Sequence, residues 1–312
     1  MSSELAKRVA FAVAAAPLTV AVVFYGGLPL ALLLSVVAGL GAGELFRMAQ
    51  QGGVPPLLRA GVGIAAALPI ATHARFTLVS RSAGVNDPSP LAPVFAAIGR
   101  AVAGSLGTAA GTVAIVVLAL TASAIWLRGV EGRPLTSVAV TLFGAVYAGG
   151  LLSFGYAIRY HDYAVGPVAG GVLLALPLLL TWASDVGGYA FGRLFGRRKL
   201  IPSISAGKTV AGSVGAVLTT VLVCWLYAEF VLRPSTQLAL LPWRAVTLGV
   251  ALSVAAQVGD LAESLFKREA GVKDSSHLIP GHGGVLDRID SLLFVLPVAY
   301  VLLGPLLGFA PA

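Results

Sequence analysis

AVTLGVALSVAAQVGD, residues 245–260, is an apolar run that ends on a carboxylate. No charge interrupts it before Asp260, and with its apolar flanks it approaches the roughly 20 residues that a helix needs to cross a bilayer core. A carboxylate in or near hydrocarbon costs roughly 2.5–3.5 kcal/mol unless it is paired or wetted. Asp260 therefore reads as a residue with a task. Glu263 and Lys267 follow at three and seven positions, on the same helical face, and a structural ion pair between them is the expected arrangement.

Outward from this run the same texture repeats. Of the 312 residues, 57% are hydrophobic and 11% charged, against about 25% charged in soluble domains. The expected fold is all-α, a polytopic membrane protein of about nine transmembrane helices. They are placed near 8–25, 29–47, 58–74, 106–127, 136–157, 168–191, 210–231, 244–265 and 291–309. The opening, MSSELAKRVAFAVAAAPLTVAVVF, resembles a secretory leader but is followed closely by further spans, and it reads as a retained first helix. Between the third and fourth spans, Pro88, Pro90, Pro93 and Arg100 break the apolar pattern, which predicts a loop with a short interfacial or re-entrant helix. Residues 1–160 and 161–312 form N- and C-terminal halves of one integral membrane unit, the second half carrying the charged loops.

Of the 21 Lys and Arg, this layout leaves six on one side of the membrane: Arg75, Arg81, Arg100, Arg159, Arg233 and Arg244. The other fifteen share a side with the N-terminus, which the positive-inside rule makes cytoplasmic. That bias, with anionic headgroups nearby, accounts for the net charge of +8 without nucleic acid as a partner. The expected location is the cell membrane, multi-pass, with the charged loops in the cytoplasm. One cysteine, Cys224, forms neither an internal disulfide nor a thiolate cage.

The charges gather in SLFKREAGVKDSSHLIPGHGGVLDRID, residues 264–290. Asp287 and Asp290 stand three apart at the start of the last span, on one helical face, where their repulsion asks for a shared cation. Hard oxygen ligands beside phosphate favour magnesium; acids complementing a helix N-terminus are the structural alternative. In IPGHGG, glycines surround His282 and leave backbone N–H groups open to an anion, so His282 is assigned to positioning or phosphate contact. His73, His161 and His277 are read as surface residues.

A second charged segment, SDVGGYAFGRLFGRRKLIPSISAGKT, spans 184–209. Its SAGKT is not a Walker A loop, because Pro202 occupies the position of the required first glycine. What remains is Asp185 near a span end, and Lys199, Ser205, Lys208 and Thr209 in a basic loop suited to polyphosphate.

These residues resemble the phosphatidate cytidylyltransferases, or CDP-diacylglycerol synthases. The signature is met by Ser264, Lys267, Arg268, Lys273, Asp274, Pro280, His282, Gly283, Gly284, Asp287, Arg288 and Asp290. Upstream elements are matched by Asp185, Tyr189, Ser205, Lys208, Thr209 and Gly212, with Ala206 in place of the usual proline and Ala211 in place of the usual glutamate. The likeness is firm over about the last 130 residues and elsewhere only a hydrophobic pattern.

The resemblance implies that CTP and phosphatidic acid give CDP-diacylglycerol and pyrophosphate. It implies a magnesium ion at Asp260, Asp287 and Asp290, with room for a second cation. Catalytic roles then fall to Asp260, Lys273, Asp274, His282, Asp287, Arg288 and Asp290. Substrate-binding roles fall to Asp185, Ser205, Lys208, Thr209, Ser264, Lys267, Arg268, Gly283 and Gly284. CTP, phosphatidic acid and membrane lipids are the expected partners, and a homodimer is compatible with this. An ether-lipid cytidylyltransferase, a CTP-dependent lipid kinase and, more distantly, a transporter are the alternatives.

Overall fold

The computed structural model describes residues 17–82, 109–164, 166, 168–278 and 283–309. The first half of the span expected at 8–25, most of the loop and interfacial helix expected near 80–105, and His282 fall outside them. Six helices among the described residues are long and apolar enough to cross a membrane, which makes this an all-α, multi-pass membrane protein. They are α1 (Gly27–Gln51), α4 (Pro134–Arg159), α5 (Ala169–Phe195), α6 (Val210–Thr236), α7 (Pro242–Glu269) and α8 (Leu286–Leu306). Without water to bond exposed N–H and C=O groups, such runs satisfy their backbones as helices. Residues 17–25 are helical, as are α2 (Leu58–Ser82) and α3 (Ala109–Leu127). Arg59, His73 and Arg75 dilute α2, and the apolar stretch of α3 is Val113–Leu127.

The chain divides into two compact units, Gly27–Ser153 and the described parts of Met1–Gly26 with Phe154–Ala312. In the first, Phe46 is fully buried among Ala42, Ala65, Ala145 and Ala148. Its ring occupies the space that side chains at Gly61 and Gly144 would fill. Thr141 Oγ1 accepts from Leu57 N at 2.8 Å at the entry to α2.

In the second unit, α5 and α6 pack backbone to backbone through small residues. A Cβ on Gly187 would lie 2.8 Å from the Gly215 carbonyl, and one on Gly212 would lie 2.7 Å from that of Gly188. Gly259 does the same for α7 and α8, where a Cβ would stand 2.6 Å from the Asp290 carbonyl. Between α5 and α6 the expected basic loop is a two-stranded antiparallel hairpin, β1 (Lys199–Ile201) and β2 (Ser205–Thr209). β3 (Leu238–Ala239) and β4 (Gly308–Phe309) pair near the other ends of these helices. Cys224 is buried. His161 departs from the surface placement: it is half-buried, stacked on Tyr163 and edge-on to Tyr300.

Candidate active site

α5, the β1–β2 hairpin, α6, α7 and the start of α8 enclose an open cavity of about 670 Å³. A polar network joins three of the helices along its wall. Ser184 and Ser253 hydroxyls lie 3.1 Å apart, and Gln257 Nε2 donates to Ser253 Oγ at 3.2 Å and to the Ser213 carbonyl at 3.3 Å. Ser213 Oγ donates to Gln257 Oε1. Each group satisfies a neighbour that would otherwise be unpaired in an apolar setting.

Three carboxylates, Asp185, Asp260 and Asp290, line the cavity from α5, α7 and α8 and interact electrostatically. The close approach at Gly259 brings the last two together. Lys208, projected by β2, reaches Asp260 Oδ2 at 2.7 Å, and Ser264 Oγ stands 3.5 Å from Asp260 Oδ1. Asp290 Oδ1 accepts from Ser291 N at 2.6 Å. Arg288 lines the same cavity and acts on Asp185 as a positive charge.

Asp287 is differently placed. Its Oδ1 accepts from Lys267 Nζ at 2.8 Å, and its Oδ2 accepts from Ser275 N, Ser275 Oγ and Gly284 N at 3.0, 2.8 and 2.8 Å. One carboxylate thus gathers both ends of the 270–285 connection onto the head of α8. Gly283 holds a φ of 80°, and a Cβ there would sit 2.8 Å from Asp287 Oδ2, so glycine suits the position twice over. Lys267 also donates to Glu263 Oε2 at 2.5 Å, the pair that the four-residue spacing predicts. Glu263 is fully buried at the cavity wall, and its Oε1 accepts no hydrogen bond among the described residues.

Of the residues singled out in the sequence, Asp185, Ser205, Lys208, Thr209, Asp260, Lys267, Asp274, Asp287, Arg288 and Asp290 line the cavity. Thr209 in addition caps α6, its Oγ1 accepting from Gly212 N at 3.1 Å. Ser264, Arg268, Lys273, Gly283 and Gly284 stand outside the wall. Arg268 Nε donates to the Ile204 carbonyl at 3.2 Å and ties α7 to the hairpin turn. The wall also includes Tyr189, Arg193, Gln257 and Glu263, none of them assigned a substrate role from the sequence.

The carboxylates of Asp185, Asp260 and Asp290 offer the hard oxygen donors magnesium prefers. Among the described residues no three His, Cys, Asp or Glu side chains meet at coordinating separation. Lysine holds Asp260 and Asp287 in their present positions.

The model of the cytidylyltransferase family matches residues 6–305. The family match therefore covers the N-terminal half, where the sequence showed only a hydrophobic pattern. A phosphatidate cytidylyltransferase of Haemophilus influenzae is 45% identical over 144 residues, 45% of this chain and 48% of that protein. One from Staphylococcus epidermidis is 46% identical over 125 residues, 40% of this chain and 46% of the relative. One from Staphylococcus aureus is 42% identical over a stretch of the same length. The chain spans about half the length of these curated relatives. With a family match running nearly end to end over a cavity that gathers the acidic and basic residues of its charged loops, this chain belongs to the cytidylyltransferase family.

Proposed function

We propose that the protein transfers CMP from CTP to phosphatidic acid, giving CDP-diacylglycerol and pyrophosphate. The observation that carries this is the meeting of Asp185, Asp260 and Asp290 with Lys208, Lys267 and Arg288 around one open cavity at the ends of apolar helices. Both reactants are anionic. A phosphate oxygen of the lipid attacks the α-phosphorus of CTP, the bond to the β-phosphate breaks, and pyrophosphate carries away the negative charge. Positioning and electrostatic stabilisation supply most of the catalysis in such transfers. The lipid phosphate is already a nucleophile, so no covalent enzyme intermediate is needed.

Magnesium would be held by Asp260 and Asp290 with Asp185 beside them, and when bound it would neutralise phosphate charge. Asp287 would have to loosen its hold on Lys267 to join. Lys208, at 2.7 Å from Asp260, is placed to exchange that carboxylate for a CTP phosphate. Asp274 and Arg288 border the same space. Acyl chains would remain between helices, in the bilayer.

Isotope placement tests the reaction. With phosphatidic acid and magnesium, label from the α-phosphate of CTP should enter the lipid and γ-label should leave as pyrophosphate. γ-Label in lipid with CDP released would identify a lipid kinase, and intact CTP would remove the enzyme assignment. Ether-linked and ester-linked phosphatidates offered side by side separate the two cytidylyltransferase readings.

We also propose nine membrane crossings in the cell membrane, with the cavity opening to the cytoplasm, on the strength of the fifteen-to-six division of Lys and Arg. In a Cys224→Ser background, Ser203→Cys and Ser276→Cys should react with an impermeant maleimide only from the cytoplasmic side, and Asn86→Cys only from outside. Reversed accessibility at either would reject the nine-span topology.

A further inference from the structure

We propose that Arg193 and Tyr189 form the subsite that recognises the lipid's phosphate monoester, at the seam between the cavity and the bilayer. The proposal rests on the cytidylyl-transfer reading and specifies how its lipid substrate is selected. Trp182, Val186 and Tyr189 are 53%, 66% and 69% exposed on α5. With Arg193 their spacing of four, three and four forms one helical stripe. On a membrane helix that stripe meets acyl chains, and its aromatic end suits the headgroup level. Tyr189 and Arg193 also line the acidic cavity, whereas Trp182 and Val186 do not. The stripe therefore leads from lipid into the site and ends on a cation.

Among the described residues that cation makes no ion pair. Among the described residues of the cavity wall, Lys208 is paired with Asp260 and Lys267 is shared by Glu263 and Asp287, while Arg288 interacts with Asp185 as a charge without forming an ion pair. Arg193 instead donates from Nη1 to the neutral Tyr189 hydroxyl at 2.9 Å. This bond orients the guanidinium one turn back along α5, toward the turn of Asp185, and among the described residues its other N–H donors make no hydrogen bond. Asp185 and Arg193 are eight residues apart, about 12 Å along the helix. A planar guanidinium binds phosphate oxygens in pairs, and the Tyr189 O–H adds a further donor. A lipid held there would present a free phosphate oxygen toward the carboxylate end of the cavity. Arg197, Arg198 and Lys199, all exposed just beyond the end of α5, add positive charge that concentrates anionic lipid at this edge.

The same chemistry would hold a CTP phosphate, so lipid and nucleotide are measured separately. Binding of a fluorescent phosphatidate to the purified full-length protein in neutral detergent micelles is read without turnover, with diacylglycerol of the same chains as control. CTP affinity is read by magnesium-dependent equilibrium dialysis. Arg193→Gln should weaken phosphatidate binding at least about tenfold, as loss of a charge-assisted bidentate contact predicts, with CTP affinity within about twofold. Arg193→Lys should restore part of the loss, and Tyr189→Phe, which keeps the ring, should weaken phosphatidate about threefold. Unchanged phosphatidate binding in Arg193→Gln and Tyr189→Phe overturns the subsite, as does a loss confined to CTP. A wild-type protein that discriminates phosphatidate through Arg193 but transfers no CMP would support the subsite and refute the reaction.

Discussion

Asp260→Asn and Asp290→Asn each lower turnover of CTP with phosphatidic acid by about 10²- to 10³-fold, while the purified Asp290→Asn protein unfolds at or above the wild-type temperature. The two halves of this expectation have one cause. Asp185, Asp260 and Asp290 are like charges around a cavity between apolar helices, so each raises the cost of the others. Asparagine keeps the shape, accepts the same bond from Ser291 N at position 290, and removes one unit of repulsion. At position 290 folding gains or is unchanged, whereas at position 260 the relief is offset by the loss of the partner of Lys208. Catalysis loses a group preorganised for charged phosphates and their cation, a loss of the size seen when one electrostatic stabiliser is removed. Steady-state rates and thermal melts of the same preparations decide the matter. Near-normal turnover in either variant refutes the assignment, and a marked fall in the melting temperature of Asp290→Asn makes that carboxylate a structural group.

How far the sequence disclosed this site depends on the distance over which the physics acts. Asp260 was legible because a carboxylate at the end of a long apolar run has a high solvation cost that composition alone reveals. Glu263 and Lys267 were legible because one helical turn relates them, and the pair forms at 2.5 Å. Asp287 was legible as a candidate, but its hydrogen bonds to Lys267 and Ser275 cross 20 and 12 residues, and no local periodicity announces them. The same limit hid the backbone approach of Gly259 to Asp290, which depends on two helices meeting. The hairpin at 199–209 escaped notice because it is short, basic and flanked by spans, so alternation had no length in which to show. The count of crossings rests on charge bias and segment length, and α2 shows why these strain: a helix of 25 residues carries three arginines and a histidine within it.

The second large effect concerns Lys267, whose ammonium stands between Glu263 and Asp287 at 2.5 and 2.8 Å with only 13% of its side chain exposed. Lys267→Met fills similar volume but leaves two carboxylates facing each other at a buried wall. Breaking a buried pair by removing one partner costs about 3–5 kcal/mol, because the remaining charge is uncompensated. A pronounced drop in melting temperature is expected. With Asp287 strained, Ser275 and Gly284 lose a firm acceptor and the 270–285 connection loosens. Adding Glu263→Gln removes one of the stranded charges, so the double variant should recover at least about 1 kcal/mol relative to additivity. It should not recover full turnover, because Asp287 still lacks its cation. A lysine whose task is to bind a CTP phosphate behaves otherwise: Lys267→Met then raises KM for CTP, leaves stability near wild type, and Glu263→Gln gives no rescue. Thermal melts of the two single variants and the double variant, read beside KM for CTP, separate a bracket that holds the α7–α8 connection from a nucleotide contact. Stability unchanged in Lys267→Met would show that the buried bracket is not what holds this wall.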